Sequence, residues 1–219
     1  MRLCKGAAPS VVCVGVHYPE GFMTRVAVIY YSSTGTNHTM AAAVGEGAAA
    51  AGAEVRVRIV PETAPDAAVS SNPKWREFAD RTAGEARASL DDLDWADGVV
   101  FGTPTRFGNV AAQLKSFLDS AGGLWFGGKL ANKVYAGFTS AQNPHGGQES
   151  TLLALYNTFY HFGGVIVTPG YTDPLVFASG GNPYGPSVTA HGAGPTEHDL
   201  AHARYLGKRV AEMAKKLRG

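Results

Sequence analysis

Cysteine is almost absent from this chain: 219 residues hold two, Cys4 and Cys13, both within the first thirteen positions. Neither a disulfide framework nor a cysteine metal site can be built from them in the body of the protein, and a reducing, cytoplasmic setting is the expectation. Long hydrophobic runs are also missing. The run Val11-Val12-Cys13-Val14-Gly15-Val16 follows Pro9 and precedes no small-x-small cleavage site. It is short for a secretory core and far too short to cross a bilayer. Excess charge of one sign is lacking too. Lysine plus arginine number 19 against 18 acidic residues, so no field steers the chain onto nucleic acid or an anionic membrane.

What remains is the composition of one globular domain with a sizeable core, at 45% hydrophobic and 17% charged residues. The organised pattern starts at Met23-Thr24-Arg25. Met23 is therefore the expected natural start, residues 1–22 an extension outside the fold, and 23–219 the single domain. Val26-Ala27-Val28-Ile29-Tyr30-Tyr31 reads as a strand buried on both faces of a parallel sheet. A helix follows with Met40, Val44, Ala48 and Ala51 on one face, and Gly52 stands where a helix-stopping glycine belongs. Glu54–Ile59 alternates with period two, as an edge strand with one wet face does. Residues 61–92 are polar and irregular, with a helix expected near Trp75–Ala83. Strands are expected at Ala96–Phe101, Val134–Thr139 and Val165–Val167, and helices at Ala111–Leu118, Glu149–Phe162 and His198–Leu217. Residues 170–196, rich in Gly and Pro, read as a long loop serving as a functional flap or an oligomer contact. Five strands alternating with helices predict a doubly wound α/β sheet with right-handed crossovers.

In such a sheet ligands bind at the carboxyl ends of the strands. Three loops of unusual composition stand there. The first, Ser32-Ser33-Thr34-Gly35-Thr36-Asn37, ends at a helix start, where orphan N–H groups and the helix dipole both favour an anion. One cap residue would satisfy a purely structural reading, whereas five hydroxyl or amide side chains around a glycine exceed what capping needs. The loop has no lysine or arginine, so neutral donors and the dipole would hold a monoester phosphate, as flavodoxins hold FMN. Gly123–Leu130 has the spacing of a triphosphate loop, but Leu130 replaces the Mg²⁺-binding hydroxyl and no strand precedes it. The second loop is Gly102-Thr103-Pro104-Thr105-Arg106-Phe107-Gly108-Asn109, with an Arg-Phe pair that turn chemistry does not require. The third, Thr139–Gln148, is wide and polar, suiting the carbonyls and ring nitrogens of an isoalloxazine.

Tyr30-Tyr31-Ser32, the string at 102–109, Gly122-Gly123-Leu124-Trp125 and Gly146-Gly147-Gln148-Glu149 together resemble the WrbA family over essentially all of residues 25–217. The resemblance implies a flavodoxin-like, five-stranded parallel sheet of order 2-1-3-4-5. It also implies a homotetrameric, FMN-dependent NAD(P)H:quinone oxidoreductase, with quinones reduced by two electrons in ping-pong fashion. Carried over residue by residue, it implies FMN phosphate contacts at Ser32, Ser33, Thr34, Gly35, Thr36 and Asn37. It implies ring and ribityl contacts at Thr105, Arg106 and Phe107. Further flavin contacts are implied at Ser140, Ala141, Gln142, Asn143, Pro144, His145 and Gly146, and another at His161. Trp125 would line the substrate pocket. Thr34 would face the nicotinamide, at a position where better-known members carry an aromatic residue. Arg106 and His161 would be the catalytic pair, one supplying charge near the flavin and the other a proton to the quinone.

The competing functional reading is a one-electron carrier of the flavodoxin type, which the near-neutral charge disfavours, since such shuttles dock through strong charge. An interaction protein is a third class, and the lack of a basic face speaks against DNA contact. His198 and His202 have the i, i+4 spacing of metal ligands, but no third ligand is evident and a solvated helix face is expected. Asp91, Asp92, Asp94 and Asp97 precede the third strand, opposite the site, and read as a polar turn. No metal is expected.

Overall fold

The computed structural model describes residues 23–190 and 194–218. The expected extension 1–22 lies outside the described residues. Along the chain run β1 (Arg25–Tyr30), α1 (Thr36–Ala50), β2 (Glu54–Ile59), α2 (Asp66–Ser70), α3 (Pro73–Arg81), α4 (Leu90–Trp95), β3 (Gly98–Arg106), β4 (Asn109–Val110), α5 (Ala112–Ser120) and α6 (Gly122–Phe126). Then come β5 (Val134–Ala141), α7 (Gln148–Phe162), β6 (Val165–Ile166), α8 (Leu175–Ala178), β7 (Ser187–Thr189) and α9 (Glu197–Arg218).

The main strands pair in the order β2-β1-β3-β5-β6, all in parallel. β4 is only a short antiparallel partner of the end of β3, so the long strands follow the expected 2-1-3-4-5. The alternation of β1 explains the two cores. Val26, Val28 and Tyr30 point to the side covered by α1 and α9, while Ala27 and Ile29 point to the side covered by α5 and α7. Both faces of the strand are sealed, which is why its sequence is apolar without a break.

The fifth strand departs from expectation. It is split in two, with β6 pairing with Val134 and Tyr135 and β7 pairing further up the same edge, with Thr139–Ala141. The segment read as a loop over 170–196 leaves the sheet, forms α8, and returns as β7. Ser187-Val188-Thr189 has one buried apolar residue, too little to give a periodic signal, yet it satisfies the free edge of β5.

Two further expectations are corrected. Asp91, Asp92 and Asp94 belong to α4 rather than to a turn, while Asp97 lies in the bend between α4 and β3. Asp92 is buried and accepts from the N–H and hydroxyl of Ser89, each at 3.0 Å, while Arg56 and Arg58 of β2 stand 3.2 and 3.3 Å from it. The face of β2 that carries Arg56 and Arg58, expected to be wet, is instead half-buried and clamped to α4. His202 is not on a solvated face either. It is 1% exposed and its Nδ1 lies 2.7 Å from the Ser179 hydroxyl, because the loop carrying α8 folds over that side of α9. Burial pushes its pKa down to about 4, against a smaller upward pull from Asp199.

α1 and α9 meet through backbone. A Cβ on Gly47 would stand 1.9 Å from the carbonyl oxygen of Arg204, and one on Gly207 1.9 Å from that of Val44. These glycines let the two helices approach more closely than any side chain permits, and this contact fixes the axis of α1.

Two predictions follow from the packing. Gly207→Ala must separate α1 from α9, and overpacking of this kind costs about 1–3 kcal/mol; chemical denaturation should show that loss, while Gly52→Ala, in open space, serves only as a control for strain at φ +84°. His202 is neutral when folded, so its contribution is complete above the unfolded value of 6.5 and disappears as pH falls towards 4. Between those limits it accounts for about 3 kcal/mol of acid destabilisation. The slope of melting temperature against pH over that interval should be shallower in His202→Gln than in the parent.

Candidate active site

β1 ends at Tyr30, and the chain turns through Ser32–Gly35 into α1. Gly35 takes φ 101°, a left-handed conformation open to glycine at little cost, and no side chain caps the helix. The Ser32 hydroxyl accepts the N–H of Gly35 at 3.0 Å, closing the loop on itself instead. The hydroxyl-rich loop is therefore not a cap: the first-turn N–H groups of α1 are left for a ligand. Asn37 is 1% exposed and its amide donates to Tyr31 O at 3.3 Å, while its Oδ1 has no partner among the described residues. A buried acceptor of this kind calls for a donor from outside, such as a ribityl hydroxyl.

The second loop is the top of β3 and its turn into β4. Phe107 (φ 54°) and Gly108 (φ 74°) form the two-residue turn between the paired residues Arg106 and Asn109. Two positive φ values are what a tight hairpin requires. Placing a phenylalanine there is unfavourable, and Phe107 stands wholly exposed. Arg106 donates to the Ser33 hydroxyl at 3.2 Å and to Thr105 O at 3.1 Å, which brings a cation against the first loop. Thr105 ties the second loop to the third: its hydroxyl donates to Gly146 O at 3.3 Å and accepts from Gly108 N–H at 3.2 Å.

These three loops enclose one cavity of about 360 Å³. Ser32, Ser33, Thr34, Thr36, Asn37, Thr105, Arg106, Phe107, Ser140, Ala141, Gln142, Asn143 and Gly146 line it. Gly35 forms the turn beneath, and Pro144 and His145 are exposed in the same loop but are not part of the wall. Pro104 and Ala190 also line the cavity. The first lies inside a string already singled out; Ala190 arrives through β7, which gave no signal.

Trp125 and His161 lie elsewhere in the single chain. Trp125 Nε1 donates to the carbonyl oxygen of His161 at 2.8 Å, and both residues are exposed. α7 starts beside the cavity and runs 15 residues to Phe162, so His161 stands about 20 Å away, at the edge where the strands begin. Trp125 is carried on α6, Gly122–Phe126.

Glu62 was not singled out in the sequence. It is the hub behind the first loop, accepting from Tyr31 Oη at 2.7 Å, Trp75 Nε1 at 3.0 Å, Gln113 Nε2 at 2.6 Å and two backbone N–H groups. Burial alone would raise its pKa, but the bonds from Ala64, Gln113, Tyr31 and Trp75 outweigh that and hold it below the usual carboxylate range. A lone Glu in an irregular segment carries no signal of such a role.

Residues 24–173 match the model of the NADPH-dependent FMN reductase family. A Deinococcus radiodurans protein named NAD(P)H dehydrogenase (quinone) is 47% identical over 195 residues, covering 89% of this chain and 98% of that protein. One of the same name from Azorhizobium caulinodans is 47% identical over 204 residues, covering 90% and 100%. Among solved structures, a WrbA-like flavodoxin from Agrobacterium tumefaciens superposes with a TM-score of 0.64 at 28% identity, covering 88% of this chain and 98% of that one. An archaeal flavodoxin reaches 0.58 at 21% identity, covering 88% and 99%, which speaks to the fold alone. With the uncapped helix and the three facing loops, these likenesses converge: the chain belongs to the NADPH-dependent FMN reductase family, among its WrbA-like members.

Proposed function

We propose that the protein is an FMN-dependent NAD(P)H:quinone oxidoreductase that works as a homotetramer in the cytoplasm. The observation that carries the reading is the uncapped start of α1 facing the second and third loops across one cavity. FMN, when bound, supplies hydride acceptance and donation, which no side chain can. The chain supplies position and charge. N–H groups of the first turn and the hydroxyls of Ser33, Thr34 and Thr36 would hold the phosphate, and Asn37 Oδ1 would accept from a ribityl hydroxyl. Arg106, anchored on Ser33, sets a positive charge beside the flavin, where it favours an anionic reduced ring. Ser140, Ala141, Gln142, Asn143 and Gly146 bound the remaining wall.

One open cavity serves coenzyme and quinone in turn. Trp125 and His161 fit this reading in the tetramer, where they would meet the cavity of another copy: Trp125 as an aromatic wall and His161 as the proton donor to the quinone oxygen. Exposure of Trp125, Phe126 and Tyr160 on one side of the molecule supports an interface there. Among the described residues no helix is long and apolar enough to cross a membrane.

Purified protein should take up FMN and oxidise NAD(P)H with benzoquinone, giving parallel lines in double-reciprocal plots. Intersecting lines would exclude successive use of one cavity, and protein unable to take up FMN would overturn the whole reading. Thr36→Asp puts a carboxylate in the first turn of α1, which suits the helix but repels a phosphate. Its melting temperature should hold while FMN affinity falls at least about tenfold. Trp125→Arg should shift the size-exclusion profile to smaller species and reduce quinone turnover while leaving FMN bound; an unchanged tetramer would remove the interface assignment.

A further inference from the structure

α3 brings two cations to the flavin loop that the sequence does not place there. Lys74 and Arg81 are seven residues apart, two helical turns, and so share a face of the helix with Phe78 between them. Phe78 is 3% exposed and packs beside Gly35, and the Arg81 guanidinium lies 5.4 Å from its ring centroid. A Cβ on Gly35 would stand 3.3 Å from Arg81 Nη2. The cationic face is thus docked against the outer side of the phosphate loop. Arg76, on another face, is paired with Asp66 and Asp80. Neither Lys74 nor Arg81 has a carboxylate within ion-pair distance among the described residues, although Glu77 lies between them in the sequence.

Both cations line a second cavity of about 410 Å³. It shares Thr34, Thr36, Gln142 and Ala190 with the flavin cavity but not Ser32, Ser33 or Asn37. A ligand lying over the flavin can pass from one compartment to the other along that shared wall, with the phosphate loop between its two ends. FMN has a single phosphate, and the bare start of α1 accounts for it. The second compartment offers two positive charges to a further anion. A monoester phosphate concentrates close to two negative charges on one phosphorus at neutral pH, a compact counter-charge for two cations on one wall.

We infer that Lys74 and Arg81 bind the 2′-phosphate of NADPH and make NADPH the preferred coenzyme over NADH. This rests on the quinone reductase reading and names the coenzyme of the same site. Arg81 holds the phosphate with its planar donors, while Lys74 adds a flexible point charge. Thr39 and Asn72 on the same wall provide neutral polar groups.

The test uses FMN-saturated protein and two probes, 2′,5′-ADP and 5′-AMP, titrated by calorimetry without turnover. The parent should bind 2′,5′-ADP at least about tenfold more tightly than 5′-AMP. Lys74→Gln with Arg81→Gln should erase that difference and lower the ratio of kcat/KM for NADPH over NADH by a similar factor. Equal binding of the two probes by the parent would overturn the inference. So would a double variant that loses FMN affinity, which assigns the cations to the flavin phosphate, or one that loses NADH and NADPH turnover alike, which assigns them to the pyrophosphate. The titration reads independently of quinone reduction. Absence of quinone turnover therefore refutes the parent reading, and absence of discrimination between the probes refutes this one.

Discussion

An α-helix that begins without a cap leaves N–H groups and a partial positive charge unanswered, a cost that a side chain can remove, as Asn72 does for α3. α1 does not remove it. The helix can stand in that state because its position is set from the other end, by backbone contact with α9 at Gly47 and Gly207. The loop before it is likewise held from behind, by Ser32 on Gly35 and by Glu62 on Tyr31. These donors are therefore a rigid feature, and the phosphate proposed to bind there would meet a site that is already ordered.

The same edge shows how the other loops are fixed. Thr105 links β3 to Gly146, and Arg106 links it to Ser33. These are single bonds between loops that otherwise differ in sequence and length. They place a tight hairpin carrying an exposed phenylalanine over the cavity, in a conformation a phenylalanine disfavours. Backbone cost kept at such a point is typical of a surface whose partner is a ligand or another chain.

Much of this was legible from residues alone. A strand sealed on both faces must be apolar throughout, and β1 is; the loop after it is polar and leads into a helix with no cap. Both features are local consequences of burial and hydrogen bonding that sequence records directly. The split fifth strand, the burial of His202 and the clamp at Asp92 are different in kind, since each depends on which segment happens to lie alongside. Three residues in β7 with one buried apolar side chain carry no period, and a histidine on a mixed helix face reads as wet until a loop covers it. Lys74 and Arg81 belong to the same class. The flavin loop itself lacks a cation, as its sequence shows, but a helix from an irregular segment supplies two from outside.

The placement of Trp125 and His161 bears on the proposed assembly. A cavity at one edge of the sheet and an aromatic–histidine pair at the other cannot meet within one chain, because α7 separates them by its full length. If each pair serves the cavity of a second copy, a one-way contact would leave one cavity of every dimer open or propagate into a filament. Reciprocal service requires a two-fold axis between the two copies, with their sheets running in opposite directions. The proposed tetramer, with several such axes, would close every cavity without leaving a free end. In head-to-tail growth each copy would also give and receive the pair, but with two different neighbours, so only mutual exchange between the same two copies would exclude it.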